Sequence, residues 1–395
     1  FIFLLLLFIL YVISPFPHWP SWVRCCLETI KGDLPRSAKY SQFIFLFSQL
    51  AMAPFHGLAA LIDDIFYSQY NSVGITPIFI IGQPRCGSTL LHRTMALSGE
   101  HLTIRHYQWR YPFVCFLRLF RVLGLDKFFS RISYWPVSSA GTQAKKMHPN
   151  NLADWEEDGI FFEEKLCHHF FMFLRFPYDG ILQHACDYKS LSINNQLRFL
   201  REHKRAIQKI ACAQNLQQVS YLSKEVVSPS MIPDIINVYP NARFIVVVRE
   251  SPEFLSSLIP LVRFSTATKN QGYDPSLNKN WQDQVVRKFE ENCEILCNMC
   301  EYTISSNHQF LIHSNQLFGD IDLTIKSIYN WLGIDLTNDF KTKIELASKK
   351  QHQRNKGYEN EDLRINYYSF ARYDEFVRSI LSNDNNSRSD ASIQV

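Results

Sequence analysis

The stretch from Pro77 to Met95, PIFIIGQPRCGSTLLHRTM, constrains this chain more than any other. Ile78 to Ile81 is a continuous apolar run bounded by Pro77 and Gly82, the pattern of a strand buried on both faces. A turn carrying Gly87 follows, and Thr89 to Ala96 then reads as a helix that stops before Gly99. A strand, a tight glycine turn and a helix in that order open an α/β fold. The same grammar recurs at Arg243–Val248 (RFIVVV), after which Pro252 opens a helix to about Val262. It recurs again at Gln309–His313, followed by a helix from Asp320 to Leu332 that ends at Gly333. Val219–Leu222 is a fourth candidate strand. Strands alternating with helices predict a three-layer, P-loop-like α/β fold: a central, mostly parallel sheet flanked by helices. Further helical stretches are expected at 110–130, 155–175, 195–213 and 280–304, and a loop or lid at 264–280.

The loop itself can be read chemically. A nucleoside-triphosphate loop has the form GxxxxGK[ST], with the Lys reaching the terminal phosphates. Here Gly82, Gly87 and Thr89 are in place, but Ser88 stands where that Lys would be. The amides of residues 85–89 and the N-terminus of the following helix can still wrap a phosphate. Arg85 supplies the positive charge from within the loop. Ordinary ATP or GTP hydrolysis is disfavoured, and a P-loop kinase or NTPase stays as the alternative. A glycine turn that merely joins strand to helix is the plainer reading.

The segment from Ile78 to Met95 resembles the 5′-phosphosulfate loop of sulfotransferases that use 3′-phosphoadenosine 5′-phosphosulfate (PAPS), where a strand leads into PR-x-G-[ST]-T-L-L and a helix. The resemblance implies that Arg85, Cys86, Gly87, Ser88, Thr89 and Leu90 hold the phosphosulfate. In that family an Arg at a strand end and a Ser eight residues later hold the 3′-phosphate. RFIVVVRESPEFLSSL offers Arg249 and Ser257 at that spacing. Arg brings a forked, permanently charged donor, and Ser a short hydrogen bond. Glu250-Ser251-Pro252 departs from the family pattern by one residue, which leaves Ser256 as a substitute for Ser257. HSNQLFGDIDLTIKSIYNWLGI resembles the family's late strand and acidic helix. KKQHQRNKGYENEDL resembles its basic C-terminal segment, which makes Arg354 and Lys356 either 3′-phosphate contacts or two solvated charges. The resemblance runs over about residues 77–370.

Sulfuryl transfer needs cations on the donor and a base on the acceptor. Arg85 and Lys224 are the expected cations, Lys224 by its place at the end of YLSK. Two residues compete for the base. Glu157 lies in MHPNNLADWEEDGIFF, which resembles a family stretch, although Glu156, Glu157 and Asp158 also look like acids at a helix N-terminus. His106 follows the loop helix and has a suitable ordinary pKa. The reaction calls for no metal.

The remaining expectations concern partners and place. The chain has 395 residues, with 41 Lys and Arg against 37 Asp and Glu, a net charge of +4. So small a bias excludes nucleic-acid binding by bulk electrostatics. Hydrophobic residues at 46% exclude a disordered chain. Phe1 to Ile13 is apolar and uncharged but shorter than the ~20 residues a span requires, so it reads as a truncated signal anchor of a single-pass membrane protein. Trp19 and Trp22 stand where an aromatic belt would lie. Residues 14–76 form a helical membrane-proximal region, 77–381 the sulfotransferase domain, and 382–395 an Asn- and Ser-rich tail that reads as disordered. The uncharged run 43–62 reads as a pair of helices packed on the domain or the membrane face rather than a second span. The catalytic domain faces the Golgi lumen if the source is eukaryotic, and the cytoplasmic side of the inner membrane if it is bacterial. The acceptor is a hydroxyl or amine of a carbohydrate, lipid or small molecule. A catalytically inactive nucleotide-binding membrane protein is the other alternative.

Overall fold

The computed structural model describes residues 2–178, 181, 188–225, 228–278, 280–352 and 367–392. Five strands, β1 (Gly74–Gly82), β2 (His101–Leu102), β3 (Gln218–Lys224), β4 (Arg243–Val248) and β5 (Gln309–His313), form one sheet in the order β2-β3-β1-β4-β5. β1 and β4 run parallel, with Ile78 opposite Arg243 and Gly82 opposite Val247. β4 and β5 run parallel, with Val248 opposite His313, and β2 runs parallel to β3. Ile78–Ile81 and Phe244–Val248 are buried throughout, as runs of consecutive apolar residues demand. β1, β3, β4 and β5 lie where the sequence predicts them. β2 escapes prediction because two residues carry no period.

The chain divides into two compact units. One comprises residues 77–102, 220–260 and 282–395 and carries most of the sheet. The other comprises residues 1–76, 103–219 and 261–281 and is helical. The division differs from a membrane-proximal region followed by a separate domain. Cys25, Phe45 and Leu46 share one apolar core with Leu166, Met172, Phe176, Tyr178 and Ile181. Polar side chains reinforce it: Gln42 Nε2 donates to Arg175 O at 2.9 Å, and Tyr178 Oη donates to Gln42 Oε1 at 2.7 Å.

Within this helical unit, Ile2–Ile13 is a helix with Leu4, Phe8 and Val12 more than 60% exposed. It meets the helix Arg36–Phe66 so closely that a Cβ on Gly57 would lie 2.1 Å from Leu10 O. Only glycine fits there. The 43–62 run is a correction: it belongs to this single 31-residue helix, with Pro54 inside it, instead of two. The helix is long and apolar enough to cross a membrane, with a mean hydropathy of 1.5, and 39% of its most apolar window is buried in the protein. Of its buried polar side chains, Gln42, Gln49 and Asp63 are bonded, whereas neither ring nitrogen of His56 has a hydrogen-bond partner among the described residues. Asp63 accepts from the amides of Val114 and Cys115 at 2.9 and 3.0 Å and pairs with Lys209 at 3.2 Å.

Three further differences have local causes. The 110–130 stretch is two helices, Val114–Val122 and Leu125–Phe129, parted at Gly124 with φ +66°. The helix opened by Pro252 runs from Ser251 to Lys269 with Pro260 inside, so the expected 264–280 loop begins as helix. The C-terminal helix Ala371–Ser392 continues through most of the stretch expected to be disordered. Its buried residues Tyr373, Val377 and Ile380 recur at helical spacing and carry it onto the sheet-bearing unit.

Candidate active site

The loop after β1 turns through backbone with positive φ at three positions. Gly82 has φ +147° and Gly87 φ +98°. A Cβ on Gly82 would sit 2.1 Å from Val247 O, and one on Gly87 2.9 Å from Leu317 Cδ2. Arg85 has φ +71°, a left-handed conformation that costs a non-glycine residue about 1 kcal/mol. The helix Ser88–Ala96 starts directly behind it, aiming its free amides into the loop.

Two side chains hold Arg85 in place. Its Nε donates to Ser257 Oγ at 2.9 Å, and its carbonyl accepts from Arg249 Nη1 at 3.1 Å. The loop, the end of β4 and the helix after β4 therefore meet at one point. Arg249 Nε also donates to Glu253 Oε2 at 2.7 Å, one turn into that helix. Ser256, the substitute for Ser257, is turned away: its Oγ donates to Glu253 O of its own helix at 3.1 Å. Lys224, buried at the end of β3, donates to Thr89 Oγ1 at 3.2 Å. The structure thus gathers Arg85, Thr89, Lys224, Arg249 and Ser257. Cys86 is fully buried, and burial pushes its thiol up to about 12, which makes it an inert part of the loop.

The departure at Glu250-Ser251 has its own supports. His313 Nδ1 accepts from the Asn315 amide at 3.1 Å, so its Nε2 is the donor to Glu250 Oε2 at 3.0 Å. Ser251 gives its amide and its hydroxyl to Asp374 at 2.8 and 2.7 Å. Tyr373 Oη donates to Arg249 O at 3.0 Å. Sequence reasoning missed Tyr373, Asp374 and His313, because no local pattern announces a contact across more than 60 residues.

The two candidate bases lie in the helical unit. Glu157 is half-buried, and its amide donates to Glu156 Oε1 at 3.0 Å. His106 is fully buried, and its Nε2 accepts from Arg110 Nε at 3.0 Å. Burial, with Arg110 next, lowers its pKa to about 3. A neutral ring with its lone pair engaged is not a base that meets an acceptor, which leaves Glu157 as the candidate base. Below His106 lies a charged cluster that sequence reasoning also missed. Glu163 receives Lys269 Nζ at 3.2 Å and Arg175 Nη2 at 3.5 Å, while Glu164 pairs with Arg110 and accepts from Gln49 at 2.8 Å. Arg354 and Lys356 lie outside the described residues.

Comparison with known proteins gives the family and the fold. The profile of the family described as "Sulfotransferase family" matches residues 77–339, well over half of the chain. The chain belongs to the sulfotransferase family, a family of enzymes, and its fold is that of solved sulfotransferases. Sulfotransferase STF9 from Mycobacterium avium aligns over 94% of this chain and 96% of its own, with a TM-score of 0.59 at 12% identity. Sulfotransferase STF1 from Mycobacterium tuberculosis H37Rv aligns over 85% of this chain and 88% of its own, with a TM-score of 0.58 at 15% identity. At such identities the likeness is one of fold. No curated protein matches the chain in sequence.

Proposed function

We propose that this sulfotransferase takes its sulfuryl group from PAPS and delivers it to a hydroxyl of a carbohydrate or lipid acceptor at a membrane. The observation that carries the donor is the junction of Arg85, Arg249 and Ser257, where a loop built for one phosphate adjoins a fixed guanidinium suited to a second. The residues present fit such a ligand. Gly87 leaves a cradle that a Cβ would fill, and Gln83 is fully buried in the loop with neither amide atom partnered among the described residues. A triphosphate would want a Lys at Ser88.

In this reading the loop amides and the N-terminus of Ser88–Ala96 orient the phosphosulfate. Arg249 and Ser257 fix the 3′-phosphate. Arg85 and Lys224 neutralise charge on the bridging oxygen as the sulfur–oxygen bond breaks. Glu157 takes the proton of the acceptor hydroxyl as its oxygen bonds to sulfur, and adenosine 3′,5′-bisphosphate leaves. Membrane attachment runs through the apolar helix Ile2–Ile13 and the long helix Arg36–Phe66.

The test is transfer of radiolabelled sulfate from PAPS to a panel of sugars and lipids by the full chain. Label should appear on a hydroxyl acceptor. Glu157→Gln should cut turnover about 100-fold or more while bisphosphate binding holds. No transfer to any acceptor, with ATP hydrolysed instead, would defeat the proposal.

A further inference from the structure

The helical unit contains a cavity of about 530 Å³ at the C-terminal end of the helix Ile2–Ile13. Four cations line it, Lys165, Arg198, Arg205 and Lys209, against two acids, Asp64 and Glu202, with Asp63 paired behind Lys209, which leaves an excess of +1. None of Arg85, Lys224, Arg249 or Ser257 lines it, so it is not the donor site.

Its floor is fixed and aromatic. Lys165 is buried, and its Nζ donates to Pro15 O at 2.6 Å and pairs with Glu202. The same Nζ lies 4.9 Å from the Phe16 ring centroid and 4.7 Å from that of Phe199. Lys209 is held by Asp63 at 3.2 Å. These partners satisfy the two lysines. Arg198, with its side chain 56% exposed and its Nε 3.8 Å from Glu202, and the exposed Arg205 stand at the rim. His18 also lines the cavity, and its pKa is lowered to about 4 by burial first and then by Arg198 and Lys165.

The other wall is apolar. Val12 and Ile13 line the cavity and are 63% and 40% exposed. The bare face continues along the helix through Ile9, Phe8 and Leu5. Trp19, whose ring packs 6.0 Å from Tyr11, stands at the junction. A cation-lined cup that opens onto an exposed hydrocarbon face fits a molecule with an anionic head and an apolar tail. A small soluble anion would use only the cup.

We propose that this cavity binds the phosphate headgroup of an anionic membrane lipid, with its acyl chains laid along the exposed face of Ile2–Ile13. This goes beyond attachment by apolar helices, which is indifferent to headgroup, and it does not depend on the identity of the sulfate donor.

The full chain in mild detergent doped equally with phosphatidylglycerol and phosphatidylcholine tests the proposal, with retained lipid counted by native mass spectrometry. One phosphatidylglycerol per chain should be retained over phosphatidylcholine. Arg198→Gln with Arg205→Gln, both at the exposed rim, should reduce that preference about tenfold or more and leave the melting temperature and bisphosphate binding unchanged. Arg205→Glu should reduce it as well. Equal retention of the two lipids, or a preference unmoved by the variants, would overturn the proposal. Displacement of the lipid by glycerol phosphate at equal concentration would overturn it too, since the ligand would then be a soluble phosphate.

Discussion

Arg85 Nε donates to Ser257 Oγ at 2.9 Å, across 172 positions of sequence. The bond ties a loop residue with φ +71° to the helix that follows β4. Arg249 closes the arrangement by donating to the Arg85 carbonyl. The loop and the end of β4 are therefore joined in one connected set of groups, which the proposed function assigns to the two phosphate groups of the donor.

Ser257→Ala removes the hydroxyl shared by both halves. Affinity for adenosine 3′,5′-bisphosphate should fall about fivefold to tenfold, the worth of one hydrogen bond. Ser256→Ala should change nothing, since Ser256 bonds only its own helix. Calorimetric titration of the two variants decides between the serines, and equal losses would remove the special place of Ser257.

Glu253 competes with any phosphate for Arg249, which it holds at 2.7 Å from a half-exposed position. Glu253→Gln should therefore tighten bisphosphate binding severalfold at low salt and less at high salt. A weakened binding would mean that Glu253 positions Arg249 instead of restraining it.

Tyr373→Phe keeps the ring and loses the bond to the Arg249 carbonyl. A stability loss of about 1 kcal/mol is expected in urea unfolding, together with a higher KM for the donor at unchanged kcat. An effect on stability alone would reduce Tyr373 to a packing residue.

His92 and His106 are fully buried, and burial first, then Lys224 and Arg110 respectively, lowers both pKa values from 6.5 to about 3. Groups with depressed pKa values are neutral in the folded protein and take up protons on unfolding. Their contribution is complete above pH 6.5 and is lost as pH falls toward 3. Between pH 6 and pH 5 unfolding free energy should drop by about 1.4 kcal/mol per pH unit for each. Urea midpoints that stay level over that range would contradict the neutral, buried rings.

The parts of this site that were legible in the sequence are those with local causes. An apolar run writes β1 and a left-handed turn demands Gly87, while Arg249 and Ser257 stood out only through the family resemblance. What was illegible depends on long-range packing. His313 bonds Glu250, Asp374 bonds Ser251 and Tyr373 bonds Arg249, and each partner looks like an ordinary helix or strand residue in its own neighbourhood. The same holds for Glu163, which reads as one more acid after Glu157 and Asp158. Burial alone would raise its pKa, but Lys269, Arg175 and Arg110 together hold it at about 2. The 31-residue helix was misread because Pro54 is a local stop signal that packing on Ile2–Ile13 overrides.

The central claim is that this loop and Arg249 read a nucleoside 3′,5′-bisphosphate and not a triphosphate. Calorimetric titration of the full chain with adenosine 3′,5′-bisphosphate, beside ATP with magnesium, tests it directly, with Arg249→Ala in the same series. The account predicts micromolar binding of the bisphosphate, lost in the variant, and none of ATP. Tight ATP binding with no response to the bisphosphate would contradict it.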